Sequence, residues 1–391
     1  MDKELDTITI GIVGHIDHGK TTLLHKLSGK WTDTHSEELK RGITIKLGYA
    51  DITLYNDSGF YNKSKGKPVR NVSFVDAPGH EVLMGTMLNC AAMIDVAVLV
   101  VAVNEGIKPQ TIEHLLALQA KGVKHLVVAQ NKIDLVSKDV AMKNYEDIKK
   151  LLAGKYENAF IVPVSALQEI NLDALYEFFA EVKIERKESG KEPFFIVARS
   201  FDVNRPGTKP SDLKGSVLGG TILQGKLSVG DEIEIKPGRI IKEAHHYNYK
   251  TINTKISKLF KGSKEVSDIT PGGSFSIETE LDMALAKSDA LVGCVVSLKN
   301  KLPQPVSSIK LNYNLFSLIL GEKEQSNKIK LSENLMFSVH TSMTLGLVKK
   351  IDSKNLDASL KIPIIASKGD MVAIGRNVNN HWRLIGYGEI V

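Results

Sequence analysis

Up to about residue 180, short runs rich in β-branched residues alternate with stretches whose apolar positions recur at helical spacing. Ile8–Val13, Asn71–Val75, Val96–Val103, His125–Gln130 and Ala159–Pro163 predict strands. Helices are predicted near Thr21–Gly29, Val82–Ala92, Thr111–Lys121, Val140–Ala153 and Leu172–Glu181. Apolar strands separated by helices suit a sheet covered on both faces, so the first domain is expected to be α/β with a mainly parallel sheet. The charged stretch Lys183–Glu192 ends just before Pro193 and reads as a linker.

After Pro193 the pattern shortens and alternates. Phe194–Val203, Gly215–Gln224 and Glu232–Lys236 are β-like segments punctuated by RPGT, GG, GD and KPG. That texture predicts antiparallel strands closing into a small barrel. A second break falls at Lys301–Pro305, followed by β-like Met336–His340, Leu345–Ile351 and Trp382–Tyr387. The expected organisation is an α/β domain over residues 1–190 and β-barrel domains over 193–300 and 303–391.

A chain of 391 residues exceeds one compact core. Its 25% charged and 42% hydrophobic residues exclude a mostly disordered chain. The longest apolar run, Val96–Val103, is far short of the roughly 20 residues of a membrane span. The first ten residues lack the basic-then-apolar pattern of a secretory signal. Cys90 and Cys294 are too few for a disulfide framework or a four-thiolate zinc site, so a reducing cytoplasm is expected. The balance of 51 basic against 45 acidic residues permits a nucleic-acid partner without requiring one.

The chemistry lies at the ends of the predicted strands. Ile8–Val13 runs into Gly14-His15-Ile16-Asp17-His18-Gly19-Lys20-Thr21 and then, from Thr22 onward, a helical stretch. This is the phosphate-loop pattern in its strand-to-helix setting. Gly14 and Gly19 let the backbone curl so that N–H groups, including those at Asp17, His18 and Thr22, point at phosphate oxygens. Lys20 can reach the outer phosphates, and the Thr21 hydroxyl can ligate Mg²⁺. Asp76-Ala77-Pro78-Gly79-His80 closes the next strand, where Asp76 can hold the ion and the Gly79 N–H can touch the γ-phosphate. Asn131-Lys132-Ile133-Asp134 closes another. Asp134 offers two acceptors to the paired donors of guanine, Asn131 can bond the ring, and the Lys132 stem can lie over its face. Ser165-Ala166-Leu167 follows the last strand, with a backbone N–H available to the guanine oxygen. Four such turns in this order, each at a carboxyl-terminal strand end, predict a GTP site. Arg41-Gly42-Ile43-Thr44-Ile45 means little by its composition. His80 reads either as an ordinary loop residue or as a group orienting the attacking water.

Together these residues resemble the translational GTPases, whose phosphate loop reads GHVDHGKT and whose effector loop reads RGITI. His35–Ala50, Asp76–Met84 (DAPGHEVLM), Arg199–Thr208 (RSFDVNRPGT) and Lys214–Gln224 (KGSVLGGTILQ) are more closely similar to the gamma subunit of archaeal and eukaryotic translation initiation factor 2. The resemblance implies a P-loop GTPase domain followed by two β-barrels. It implies a GTP-hydrolysing factor that carries methionylated initiator tRNA to the small ribosomal subunit and works beside alpha and beta subunits. It makes Thr44 a ligand of Mg²⁺ and γ-phosphate and gives His80 the water-positioning role. It also assigns Asp17 and the Gly42 carbonyl to a further cation.

The sequence departs from that family at Asp51–Arg70, where a four-cysteine zinc knuckle is usual and this chain has no cysteine or histidine. A shortened, zinc-free connection is expected. Two alternatives stay open: another translational GTPase, such as elongation factor Tu or the selenocysteine-specific factor, and a GTP-binding scaffold with negligible hydrolysis. KRGITIKLGYA and RSFDVNRPGT speak against the first, while Thr44, Gly79 and His80 speak against the second.

Overall fold

The computed structural model of the chain describes residues 5–31, 47–78, 84–185, 190–204, 207–209, 213–243, 246–316 and 328–391. Gly42, Thr44, Gly79 and His80 lie outside the described residues. Two compact units result, Met1–Ile184 and Glu185–Val391.

In the first unit, β1 (Thr7–Gly14), β2 (Gly48–Asp57), β3 (Phe60–Asn62), β4 (Lys67–Asp76), β5 (Val96–Ala102), β6 (His125–Asn131) and β7 (Phe160–Pro163) form one sheet. Its order is β3-β2-β4-β1-β5-β6-β7. The five strands from β4 to β7 run parallel, and β2 and β3 extend the edge antiparallel. Helices α1 (Lys20–Ser28), α2 (Met84–Met93), α3 (Pro109–Ala120), α4 (Lys138–Leu152) and α5 (Leu172–Glu181) fall in the connections. Ile8, Ile10 and Ile12 of β1 share a buried cluster with Leu23, Leu24 and Leu27 of α1 and with Leu175 and Phe179 of α5. The other face of β1 meets the end of α2 so closely that a Cβ on Gly11 would lie 2.7 Å from Ile94 Cδ1 and 3.3 Å from Cys90 Sγ. Both faces are therefore covered, which is why these strands carry apolar residues throughout.

The expected connection across Asp51–Arg70 is instead a paired extension of the sheet. β2 pairs with β4 from Gly48↔Asp76 to Asn56↔Lys67, and β3 folds back on β2. Side-chain amides hold its turns: Asn56 Oδ1 accepts from Gly59 N at 3.0 Å, and Asn62 Oδ1 accepts from Ser64 N and Lys65 N at 2.9 Å.

The second unit is two barrels. β8 (Phe194–Phe201), β9 (Val217–Gln224), β10 (Leu227–Ser228), β11 (Glu232–Glu243), β12 (His246–Lys261), β13 (Lys264–Val266), β14 (Asp268–Ile269), β15 (Phe275–Thr279) and β16 (Val295–Leu298) build the first. Six of them close in the order β11-β16-β8-β9-β15-β12, with β12 returning to β11. The second barrel closes as β17 (Val306–Leu315), β20 (Asn355–Ile364), β19 (Ser342–Ile351), β18 (Asn334–Val339), β21 (Met371–Val378) and β22 (His381–Ile390). Closure removes the exposed edges that short antiparallel strands would otherwise present. The Lys236-Pro237-Gly238 turn expected after Glu232–Lys236 is a correction: β11 continues through it. The register shifts between Ile235 and Arg239, marking a bulge. Gly238 sits there at φ 87°, where a Cβ would lie 2.2 Å from Lys250 O.

A buried ion pair pins the segment between the barrels. Lys236 Nζ lies 3.2 Å from Glu234 Oε2, with side-chain exposures of 6% and 2%. Lys236 also donates to Leu302 O at 3.0 Å, and Glu234 Oε1 accepts from Leu302 N at 2.6 Å. Removing one member leaves the other charge buried, which costs about 3–5 kcal/mol. Glu234→Ala should therefore lower the stability of the second unit by that amount in urea unfolding. A loss below about 1 kcal/mol would show that the ammonium finds solvent or another partner.

Candidate functional site

The parallel strands finish together. Register pairs Ile12 with Asp76, Gly14 with Val100, Ala102 with Asn131 and Gln130 with Pro163. The turns after β1, β4, β6 and β7 thus meet at the carboxyl edge of the sheet, where open α/β sheets bind ligands.

The loop from Gly14 to Gly19 is shaped by close approach. Gly14 has φ 139°, and a Cβ there would lie 2.4 Å from Val100 O. Gly19 has φ 91°, and a Cβ there would lie 2.5 Å from Asn131 Nδ2. Asp17, at φ 60°, sits exposed at the apex. Lys20 Nζ donates to His15 O at 2.8 Å and spans the loop. α1 begins at Lys20 with no side-chain cap on its first turn, so the N–H groups there are directed into the loop. Thr22 is half-buried on that turn. Thr21 Oγ1 donates to Asp76 Oδ2 at 3.1 Å, which brings the two expected Mg²⁺ ligands together.

The base-reading turns are joined to this loop directly. Asn131 Nδ2 donates to His18 O at 3.0 Å, and Asn131 Oδ1 accepts from Ala166 N at 3.0 Å. Lys132 takes a left-handed conformation, φ 65°, and its Nζ lies 3.2 Å from Glu105 Oε1. Asp134, on the short 3₁₀ turn Ile133–Leu135, is exposed at the rim. Ser165 is buried, its Oγ accepting from Gln168 N at 3.2 Å, while Leu167 projects outward. Gly14, His18, Gly19, Lys20, Thr21, Asp76, Asn131 and Ala166 form the connected part of the site, and Asp17, Asp134 and Leu167 its solvent-facing rim.

Three further residues belong here that the sequence did not single out: His114, Glu105 and Gln110. His114, on α3, accepts from Gly14 N through Nδ1 at 2.8 Å. That bond needs a neutral ring, and burial pushes the His114 pKa down to about 3. Burial likewise lowers His18 to about 4, against the opposing effects of the Val100 carbonyl and Glu105. No signal in the chain marked His114, because its partner is 100 residues away.

Neutral burial of these rings makes stability pH-dependent. The unfolded histidines take up protons as pH falls below about 6.5, while the folded ones do not until about 4 and 3. The unfolded state then binds more protons, so stability is full above about 6.5 and declines on acidification by up to about 1.4 kcal/mol per pH unit for each ring. Urea midpoints measured between about pH 6.5 and 5, above the carboxylate range, should fall more steeply in the parent than in His114→Gln. Equal slopes would show that His114 is not held neutral.

Residues 5–184 match the family described as Elongation factor Tu GTP binding domain, and residues 307–390 match Initiation factor eIF2 gamma, C terminal. The chain is 46% identical to translation initiation factor 2 subunit gamma of Pyrococcus furiosus, over 98% of this chain and 97% of that one. Identity is also 46% to the same subunit of Archaeoglobus fulgidus, over 99% and 95%. Among solved structures, a bacterial selenocysteine-specific elongation factor EF-Sec gives a TM-score of 0.79 at 23% identity. That match covers 98% of this chain, which spans only 58% of the EF-Sec chain. Elongation factor SelB of Methanococcus maripaludis, in complex with the GTP analogue GppNHp, gives 0.75 at 22%, covering 100% of this chain and 80% of that one. Likeness at such identity speaks for the fold: a GTPase domain followed by two six-stranded barrels. The near-full-length identity to the initiation-factor subunits goes further, and the chain belongs to the gamma-subunit family of translation initiation factor 2, translational GTPases that bind and hydrolyse GTP.

Proposed function

We propose that this chain is the GTPase subunit that binds methionylated initiator tRNA in its GTP form, brings it to the small ribosomal subunit and releases it after hydrolysis. It would act in the cytoplasm with alpha and beta subunits. The observation that carries the switch reading is the 3.1 Å contact of Thr21 with Asp76. It couples the start of α1 to the strand end that leads into Gly79 and His80, so a change at the phosphates is felt at both.

In this reading Gly14, His18, Gly19, Lys20 and Thr22 cradle the phosphates. The Thr21 hydroxyl and Asp76 carboxylate are hard oxygen donors side by side, a donor set that fits Mg²⁺. When bound, Mg²⁺ would neutralise charge on the outer phosphates. Gly79 and Thr44 would sense the third phosphate, and His80 would orient the attacking water. Asp17 and the Gly42 carbonyl are assigned to a second cation. Asp134 would read the two guanine donors, with Asn131 and the backbone of Ser165, Ala166 and Leu167 completing the base pocket. Glu105 supports this by holding Lys132, so that the lysine stem is placed to cover the ring.

Filter binding of charged initiator and elongator tRNA, with alpha and beta subunits present, tests the function. Initiator tRNA should be retained with GTP and lost with GDP, and equal retention of both tRNAs would reject the reading. Asp134→Asn would place a donor against guanine's own donors. It should weaken GDP binding relative to the parent by about 100-fold or more, read by displacement of a fluorescent GDP analogue. A change below about threefold would remove Asp134 from base recognition.

A further inference from the structure

Beside the phosphate loop, His15, His18 and Glu105 bring one ligand atom each to within 4.8 Å of one another. The His18 side chain has no solvent exposure, and its Nε2 is buried without a hydrogen-bond partner, 3.8 Å from Glu105 Oε2. His15, partly buried beside it, is hydrogen-bonded by the side chain of Gln110 at the start of α3. Buried polar atoms are nearly always satisfied, so His18 Nε2, facing a carboxylate across a gap, calls for a partner between them.

The orientation of His18 says what kind. Its Nδ1 lies 3.3 Å from Val100 O, so the ring proton is used on that carbonyl and the Nε2 lone pair faces Glu105. An imidazole that donates through one nitrogen to a backbone carbonyl and offers the other is the arrangement of a metal-ligating histidine. The His15 ring stands edge-on to it, at 72° with centroids 5.0 Å apart, so the two rings do not stack across the gap.

We propose that one ring nitrogen of His15, His18 Nε2 and the Glu105 carboxylate form a three-ligand binding site, with a fourth position left to water, for a transition-metal ion of the Zn²⁺ class. Two imidazoles and a carboxylate, with water at the fourth position, make a tetrahedral set suited to Zn²⁺ or Co²⁺ and poorly suited to Mg²⁺. At Zn–N and Zn–O distances of about 2.0–2.2 Å, tetrahedral donors lie about 3.3 Å apart. The 3.8 Å gap between His18 and Glu105 therefore closes with a small turn of the Glu105 side chain, which is 28% exposed. The site is separate from the Thr21–Asp76 pair, whose donors are oxygens alone. Metal capture of Glu105 competes with its ion pair to Lys132, at 3.2 Å, so the ion ties the phosphate loop to the turn after β5 and loosens the lysine beside the base-reading turn.

The test uses the full chain, free of nucleotide, in excess Mg²⁺. Zn²⁺ is titrated against a chromophoric chelator, and Co²⁺ is followed by its visible absorption. Zn²⁺ should bind and displace Co²⁺, and Mg²⁺ should not compete. Glu105→Gln and His15→Gln should each weaken Zn²⁺ binding by about tenfold or more. His381→Gln, at an exposed position on the last barrel strand, should leave it unchanged. Glu105 is partly exposed, so its variant should keep the parent's thermal unfolding midpoint and remain informative if His15→Gln does not fold. No Zn²⁺ binding, displacement by Mg²⁺, or unchanged affinity in Glu105→Gln would overturn the proposal; the first result would mean that water fills the gap.

Discussion

The side-chain amide of Asn131 donates to the His18 carbonyl and accepts from the Ala166 N–H, joining loops 113 and 35 residues away in the chain. Each bond has a net worth of only about 1 kcal/mol. Their value is positional, because they fix the phosphate loop and the last turn relative to the same strand end. Gly19 belongs to this constraint, since any side chain there would collide with the amide nitrogen. The phosphate loop cannot move far without breaking a bond at Asn131, so phosphate and base recognition share one frame.

The buried imidazoles extend that frame. His114 holds Gly14 N from α3, and His18 faces Val100 O on β5, so both ends of the loop are tied to neighbouring elements. Burial keeps both rings neutral, and a neutral ring can accept from an amide where a charged one cannot. Glu105 sits where these ties meet, between His18 and Lys132. A single carboxylate thus touches the phosphate loop on one side and the base-reading turn on the other.

Most of the first unit was legible because its strands are buried on both faces and its helices carry apolar stripes. Leu172–Glu181 has the bounds that its periodicity predicts. The motif glycines were legible for the same physical reason that the loop needs them, since Gly14 and Gly19 hold conformations and contacts no other residue accepts. The edge hairpin was not legible. β2 buries only Ala50 and Leu54 strongly, and Phe60 is 74% exposed, so no clean alternation exists to read. Pro237-Gly238 misled in the opposite sense: a pair that usually ends a strand here forms a bulge that lets β11 continue. His114, Glu105 and the double bond of Asn131 to two loops were hidden because each depends on a partner brought close only by folding.

Both units place buried polar groups where a segment outside the sheets must be held, but the buried groups differ in charge. Between the barrels, Glu234 and Lys236 grip the N–H and carbonyl of Leu302 with full charges. Such a pair is costly to open, because parting it strands two ions in an apolar setting. The junction is thereby fixed in one geometry. At the carboxyl edge of the first unit the bonds that join the loops directly come from a neutral amide, with the partly exposed Glu105–Lys132 ion pair beside it. A GTPase must keep its phosphate and base contacts in one frame while the ligand at the outer phosphates changes. A neutral strut holds that frame without burying charge, a cost that the ion pair in the barrels carries.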